Sequence, residues 1–286
     1  MKSFDEQLHH LVAEALREDV GDGDHSTLSS IPREQHGKAV LKIKQAGILA
    51  GMAVAEKIFQ YTEPSALFTA FKKDGDDMQP GEQAFEVQAR VHTILTCERL
   101  VLNCMQRMSG IATLTHSYTA KLKGYHTRLL DTRKTTPNFR LLEKEAVRIG
   151  GGVNHRFGLY DMMMLKDNHI DYAGGLEPAI NAAYTYSQKM STPLKIEVET
   201  RTLDDVRKVC EVGRDKVFRI MLDNFTPEMI SEALLVIDGA FETEASGGIN
   251  LQTIEAYAAT GVDYVSVGGL IHQAQSLDLS LKAVVV

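Results

Sequence analysis

The sequence predicts an α/β chain in two parts: an α+β sheet with helices on one face, then a parallel β/α barrel of fewer than eight strands. Three observations carry this. After Tyr125, short apolar runs alternate with helical patterns at a nearly regular pace, as parallel strands and their crossovers do. Before Thr96, strand-like pieces are broken by the turn signals Asp74-Gly75-Asp76 and Pro80-Gly81. The stretch 128–170 reads apolar strand, charged end, helix, apolar strand, charged end, a βα unit with its chemistry at the strand C-termini. An open doubly wound sheet is the alternative, and no glycine-rich dinucleotide fingerprint supports it.

In chain order, Ser3 with Glu6 three residues on forms a capping box, and Leu8, Leu11, Val12, Ala15 and Leu16 follow at helical spacing. The helix is expected to end in Asp19-Val20-Gly21-Asp22-Gly23-Asp24, a solvated loop that lacks the closing glutamate of an EF-hand. Residues 39–43 alternate like a strand, Gly47 to Gly51 lead into a helix reaching Tyr61, and 65–95 hold strand-like pieces. From Thr96 to Leu122 the pattern is helical, with Leu100, Val101, Cys104, Met105, Met108, Ile111 and Leu114 on one broad face. The methionine stripe reads as core packing, and Ser109-Gly110 is expected to kink or divide the helix. The domain boundary is placed here: 1–112 form the first domain, with 273–286 packing back on it, and 113–272 the second. Barrel strands are expected at 127–131, 162–166, 194–199, 217–223, 240–245 and 263–267. Helices are expected at 137–149, 175–189, 203–212, 226–237 and 251–259, marked by Pro137 and Pro227 near first positions and by Gly239 and Gly261 beyond the ends.

Composition narrows the class. With 44% hydrophobic and 24% charged residues the chain reads as an ordinary globular protein. No run approaches the roughly 18 apolar residues of a membrane span, and the N-terminus lacks the basic-then-apolar layout of a signal peptide. Cys97, Cys104 and Cys210 are odd in number and scattered, so neither a disulfide framework nor a zinc site is indicated, and the cytoplasm is the expected location. The net charge is −7, yet 128–170 concentrates Arg128, Arg133, Lys134, Arg140, Lys144, Arg148, Arg156 and Lys166. A cationic site in an acidic chain suits small anionic ligands and argues against nucleic acid.

Strand parity points to the same place. Alternate residues of a barrel strand face the lumen, which turns Asp131, Arg133, Lys166, Lys195, Glu197, Glu199, Arg219, Asp223, Glu242, Glu244 and Ser246 inward. Lumens are usually filled with Val, Ile and Leu, so these charges require pairing or function. Arg133, Lys166, Glu197, Asp223 and Ser246, read as strand ends, are assigned to a binding site; Lys195, Arg219, Glu242 and Glu244, deeper, to supporting pairs. Ser246-Gly247-Gly248 and Gly268-Gly269 follow consecutive strands, where glycine amides form phosphate-binding nests. The residues alone support a barrel enzyme for a phosphorylated, multiply anionic substrate. They leave the reaction open: Lys166 could form a Schiff base, as in an aldolase, and the carboxylates could hold Mg²⁺ or ribose hydroxyls.

Six blocks then occur in one order: Asp131-Thr-Arg-Lys-Thr-Thr-Pro137, Gly151-Gly-Val-Asn-His-Arg156, Met164-Leu-Lys-Asp-Asn-His169, Ile196-Glu-Val-Glu199, Met221-Leu-Asp-Asn224 and Ser246-Gly-Gly248. Together with Glu98-Arg99 and Gly261-Val-Asp-Tyr264 they make the chain, over essentially its whole length, resemble the quinolinate phosphoribosyltransferases. The resemblance implies an N-terminal α/β open-faced sandwich and a C-terminal incomplete (β/α) barrel. It implies that quinolinate and phosphoribosyl pyrophosphate give nicotinate mononucleotide, pyrophosphate and CO₂, with Mg²⁺ and no organic cofactor, in NAD biosynthesis. It further implies a homodimer, or a higher assembly of it, with shared active sites that Arg99 of one subunit completes in the other. By motif match, Arg133, His155, Arg156 and Lys166 surround quinolinate, Thr132 beside them is substrate-binding, and Lys134 and Lys166 lie near the pyrophosphate. Glu197, with Glu199 of the same strand as the alternative, and Asp223 take the ribose hydroxyls or Mg²⁺, directly or indirectly. Ser246, Gly247, Gly248, Val267, Gly268, Gly269 and His272 take the 5′-phosphate. Lys134, Lys166, Glu197 and Asp223 are the expected catalytic residues.

Overall fold

The computed structural model describes residues 3–284. Helix α1 (Phe4–Val20) starts on the expected capping box, with the Glu6 amide donating to Ser3 Oγ at 3.2 Å and the Ser3 amide to Glu6 Oε2 at 2.6 Å. The acidic loop behind it narrows to 21–24, because Asp24 accepts the Thr27 amide at 3.1 Å and caps a short helix, α2 (His25–Ser30). Next come β1 (His36–Ile43), β2 (Gly47–Ile48), α3 (Met52–Thr62), β3 (Leu67–Ala70), β4 (Asp77–Met78) and β5 (Gln83–Arg90). Ile58 and Phe59 of α3 are fully buried, and Phe59 meets Phe85 of β5 edge-on at 6.2 Å.

Helix α4 (Val91–Lys121) corrects two expectations. It begins at once after β5, and it runs unbroken through Ser109-Gly110. The glycine there serves packing: a Cβ on Gly110 would meet the Gln275 carbonyl oxygen at 2.0 Å, so the C-terminal segment crosses the helix at that point. Ser109 Oγ is equally occupied, receiving the Ala50 amide at 3.0 Å.

The remaining elements alternate as expected: β6 (Arg128–Leu130), α5 (Arg140–Ile149), β7 (Met163–Leu165), α6 (Asp167–Tyr172), α7 (Leu176–Gln188), β8 (Ile196–Thr200), α8 (Leu203–Val212), β9 (Arg219–Asp223), α9 (Pro227–Ile237), β10 (Glu242–Ser246), α10 (Ile254–Ala258), β11 (Tyr264–Ser266), α11 (Gly269–His272) and β12 (Leu279–Val284). Short α6 has no counterpart among the expected helices. The six strands β6 to β11 form one parallel sheet in the order β6-β11-β10-β9-β8-β7. First and second strands of the βα series are its two edges, which makes the cylinder incomplete. Ile196, Val198, Ile220, Leu222, Ala245 and Val265 are fully buried on this sheet. Each large one contributes about 1.5–3 kcal/mol over its exposed state.

The chain divides into two compact units, one holding the residues up to His116, Thr135–Gly151 and the residues from Leu270 onward, the other Ser117–Lys134 and Gly152–Gly269. In the first, β12, β1, β5 and β3 make an antiparallel sheet in that order, with β12 paired to β1 from Val284 opposite Lys38 to Leu279 opposite Ile43. Helix α5, read from the sequence as a barrel helix, groups with this unit for a visible reason. Its fully buried Glu143 accepts Arg107 of α4 at 2.9 Å and the Thr136 amide at 2.7 Å. No helix among the described residues is long and apolar enough to cross a membrane.

Candidate active site

In the second unit, the C-terminal ends of the parallel strands carry the charged residues. Strand β7 ends at Leu165, and the next residue, Lys166, sends Nζ to Glu199 Oε2 at 2.5 Å. Glu199 is the penultimate residue of β8, and Asp223 closes β9. Burial first, and then the charge of Glu199, raises the Asp223 carboxyl above its ordinary range, while Ser246, Lys166 and Asn224 oppose the shift. Lys166, Glu199, Asp223 and Ser246 therefore share one mouth.

Glu197 does not join them. Parity places it at the strand end, but β8 continues to Thr200, so Glu197 lies deeper and is fully buried. Its Oε2 sits 2.8 Å from His155 Nε2, and Glu244 Oε2 sits 3.3 Å from the same nitrogen. Arg219 completes the group, 3.1 Å from Glu244 and 2.8 Å from Glu242. Glu242, Glu244 and Arg219 are thus supporting pairs, as expected, and Lys195 instead lies over the Phe218 ring at 3.5 Å. Burial pulls the His155 ring down, but hydrogen bonding and charge from Glu197 and Glu244 outweigh it and raise the ring to about 9. Burial, then the charge of Glu244, pushes Glu197 up to about 7. The Arg156 amide lies 2.6 Å from His155 Nδ1, while the two carboxylates face Nε2 at the other corner of the ring.

Two guanidinium groups lie near each other, and that of Arg156 borders β7. Arg156 donates to the Met162 carbonyl at 3.2 Å and lies 3.7 Å from Met164 Sδ. Burial, and then the positive charge of Arg133, lowers its pKa, so Arg133 and Arg156 are neighbours of like sign. A pair of cations at such a place is arranged for an anion. Thr132 Oγ1 accepts the Lys134 amide at 3.1 Å, and Lys134 itself is exposed. Arg99 is exposed on α4 and His272 at the end of α11, both in the first unit.

The glycine turn after β10 is shaped by Asn224. This residue has φ of 59°, donates Nδ2 to Asp223 Oδ2 at 2.7 Å and gives its amide to the Ser246 carbonyl at 2.8 Å. Gly247, at φ 97°, passes so close that a Cβ would meet Asn224 Oδ1 at 2.1 Å. Val267, buried, Gly268 and Gly269 follow the adjacent strand β11. Sequence reasoning gives neither Asn224 nor Asp131 a place in the site. Asp131, fully buried, accepts the His155 amide at 2.8 Å. The only signal for Asn224 is its type, since asparagine tolerates a left-handed backbone after a strand.

Such a site can bind anions with two guanidiniums and a lysine, and can face a developing positive charge with two carboxylates. The group His155, Glu197 and Glu244 also places one possible ligand atom from each within 4.8 Å of the others. Arg219, beside Glu244, already supplies a positive charge to it.

Known proteins match along the whole chain. The family model "Quinolinate phosphoribosyl transferase, C-terminal domain" matches 111–282, and the corresponding N-terminal domain model matches 24–109. The chain is 44% identical over 281 residues to quinolinate phosphoribosyltransferase [decarboxylating] 1b of Nicotiana tabacum, covering 94% of this chain and 80% of that one. It is 41% identical to the probable nicotinate-nucleotide pyrophosphorylase [carboxylating] of Bacillus subtilis, covering 96% and 93%. Among solved structures, NadC from Streptococcus pyogenes superposes with a TM-score of 0.90 at 39% identity over 100% of both chains.

Proposed function

The chain belongs to the quinolinate phosphoribosyltransferase family, and from that premise we propose how its residues share the work. The enzyme is a decarboxylating pentosyltransferase of NAD biosynthesis: quinolinate and phosphoribosyl pyrophosphate give nicotinate mononucleotide, pyrophosphate and CO₂. The observation that carries the assignment of roles is the meeting of Lys166, Glu199 and Asp223 at the strand ends.

Arg133, Arg156 and Lys166 receive the two carboxylates of quinolinate, with Thr132 holding the backbone that presents them. Lys134 and Lys166 lie toward the pyrophosphate. The ring nitrogen is the nucleophile: it bonds to the ribose carbon as the bond to pyrophosphate breaks, so no covalent protein nucleophile is needed and the Schiff-base reading of Lys166 falls away. Positive charge that develops on the ribose is met by Glu199 and Asp223. Glu199 takes the role that parity and the family resemblance give to Glu197, whose carboxylate is buried against His155. The adjacent carboxylate then leaves as CO₂, its bonding electrons pass to the quaternised ring nitrogen's π system, and a proton takes the vacated carbon. Amides of 246–248 and 267–269 bind the 5′-phosphate.

Glu199 and Asp223 fit a magnesium ion, because their like charges are close enough for one to raise the other. When bound there, Mg²⁺ supplies charge neutralisation for the ribose and pyrophosphate oxygens. The enzyme is cytoplasmic and a homodimer on this reading, with Arg99 of one subunit reaching the other's site. Purified protein given both substrates and Mg²⁺ should release CO₂ in step with nicotinate mononucleotide. Folded protein that turns over nothing, or that uses nicotinate equally well, rejects the assignment.

The shared site makes a separate prediction. Arg99→Ala and Lys134→Ala should each be nearly inactive, and mixing them should restore up to about one quarter of wild-type activity, since half the dimers are mixed and each holds one intact site. No recovery after subunit exchange has been verified counts against the sharing.

A further inference from the structure

One carboxylate closes the turn that follows Arg156. Asp161, half-buried, accepts the Phe157 amide on Oδ2 at 2.6 Å and the Gly158 amide on Oδ1 at 2.8 Å, so each of its oxygens holds one backbone donor. Little packing holds the tip of this turn, where Leu159 is 69% and Tyr160 55% exposed. The backbone is nevertheless tightly folded, since a Cβ on Gly158 would meet the Tyr160 ring at 2.4 Å. At the far end of the turn, the Met162 carbonyl accepts the Arg156 guanidinium at 3.2 Å. Backbone and side chain thus form one closed loop, with Asp161 as its fastener and the guanidinium as the group it carries. Burial, and then the charge of Arg133, lower the pKa of Arg156, while the charges of Glu197 and Asp161 oppose them. The Asp161 carboxylate is therefore also close enough to act on that guanidinium through space.

We propose that Asp161 is a positioning residue that acts through Arg156: by holding the Phe157 and Gly158 amides it fixes the turn, and so sets the guanidinium where it meets a carboxylate of quinolinate. Asp161 itself touches no substrate. The inference rests on the proposed role of Arg156 as a quinolinate-binding residue. Two neighbouring guanidiniums repel until an anion lies between them, so each needs a fixed hold of its own. For Arg156 that hold is the closed turn. A carboxylate closes it better than a carboxamide, because asparagine would offer one acceptor and turn an N–H toward the second amide. The logic is that of the outer partners that orient binding groups in metal sites.

Asp161→Ala should lower kcat/KM for quinolinate about 100-fold, the scale of a displaced binding group. The loss should appear as a higher KM for quinolinate, with the KM for phosphoribosyl pyrophosphate unmoved. Asp161→Asn, which keeps one acceptor, should lose about tenfold, the scale of one hydrogen bond to a charged group. The deciding measurement is a double-mutant cycle with Arg156→Ala. If Asp161 works through the guanidinium, adding either Asp161 variant to Arg156→Ala should change kcat/KM by no more than about twofold. Losses that multiply show that Asp161 supports the site by another route, and they overturn the inference. Should Asp161→Ala fail to fold, the asparagine variant completes the cycle alone. A second measurement, backbone amide hydrogen exchange in the full-length protein, needs no turnover. The Phe157 and Gly158 amides should be protected in the wild type and lose much of that protection in Asp161→Asn. Wild-type amides that exchange as fast as those of an open loop overturn the inference as well. Wild-type protein idle with quinolinate rejects the functional assignment instead, and the exchange rates still decide whether Asp161 holds the turn.

Discussion

Lys166→Ala is expected to lower kcat/KM about 1000-fold while leaving the melting temperature within a few degrees of wild type. The two halves of that expectation have different causes. Lys166 is 46% exposed at its side chain, so its contact with Glu199 is a half-solvated ion pair worth roughly 0–1 kcal/mol to folding. For catalysis the same charge stands where two anions must meet. Its removal leaves Glu199 and Asp223 facing each other without their counter-charge, and the mouth turns against both substrates. Opposite charges at about 4 Å near a protein surface attract by roughly 4 kcal/mol, enough to account for three powers of ten in rate. Lys166→Arg keeps the charge but replaces a compact ammonium with a planar fork, so partial recovery is the expected intermediate. Steady-state kinetics beside thermal unfolding tests this. A Lys166→Ala enzyme within about tenfold of wild type shows that the lysine is peripheral and that the anion site lies elsewhere.

The strand ends are legible in the sequence because parallel β/α structure writes itself locally: an apolar run of the right length, a charged residue, a helix signal. Parity alone also shows that Glu197, Arg219, Glu242 and Glu244 point away from the helix layer, a pattern that only paired charges can satisfy. Which glutamate of β8 reaches the mouth is not legible, since Glu197 and Glu199 share parity and only the strand's extension to Thr200 ranks them in depth. Long-range packing hides the rest. Gly110 reads as a helix breaker until Gln275 is seen passing over it, and no local pattern reports a contact between segments so far apart in the chain. Nothing local in the sequence marks Glu143 as a buried residue, yet it is fully buried and bound by Arg107 and Thr136. The closeness of His155 Nδ1 and the Arg156 amide is invisible in a motif that simply spells His-Arg.

Arg219→Met should cost about 3–5 kcal/mol of stability, the range for removing one partner of a buried ion pair. Arg219 is 7% exposed and is gripped by Glu242 at 2.8 Å and Glu244 at 3.1 Å, with its guanidinium 4.3 Å from the Tyr264 ring centre. Methionine keeps much of the side chain's volume, so the loss reports charge and not a cavity. Without the guanidinium, Glu244 is left in the interior beside Glu197, and His155 alone faces both carboxylates. At roughly 2–4 °C per kcal/mol for a domain of about 150–250 residues, the melting temperature should fall by about 10 °C. The double variant Arg219→Met with Glu244→Gln should recover a large part of that fall, because it removes the stranded charge along with its partner. A single variant that unfolds within about 1 kcal/mol of wild type, the value of an exposed pair, shows that water reaches Glu244 and that the barrel interior is not a closed, charge-paired core. If the single variant loses stability as expected but the double variant gains nothing back, the cost lies in lost packing against Tyr264 and Phe218. The electrostatic account of the lumen then fails, while the geometry of the strand ends above it stands.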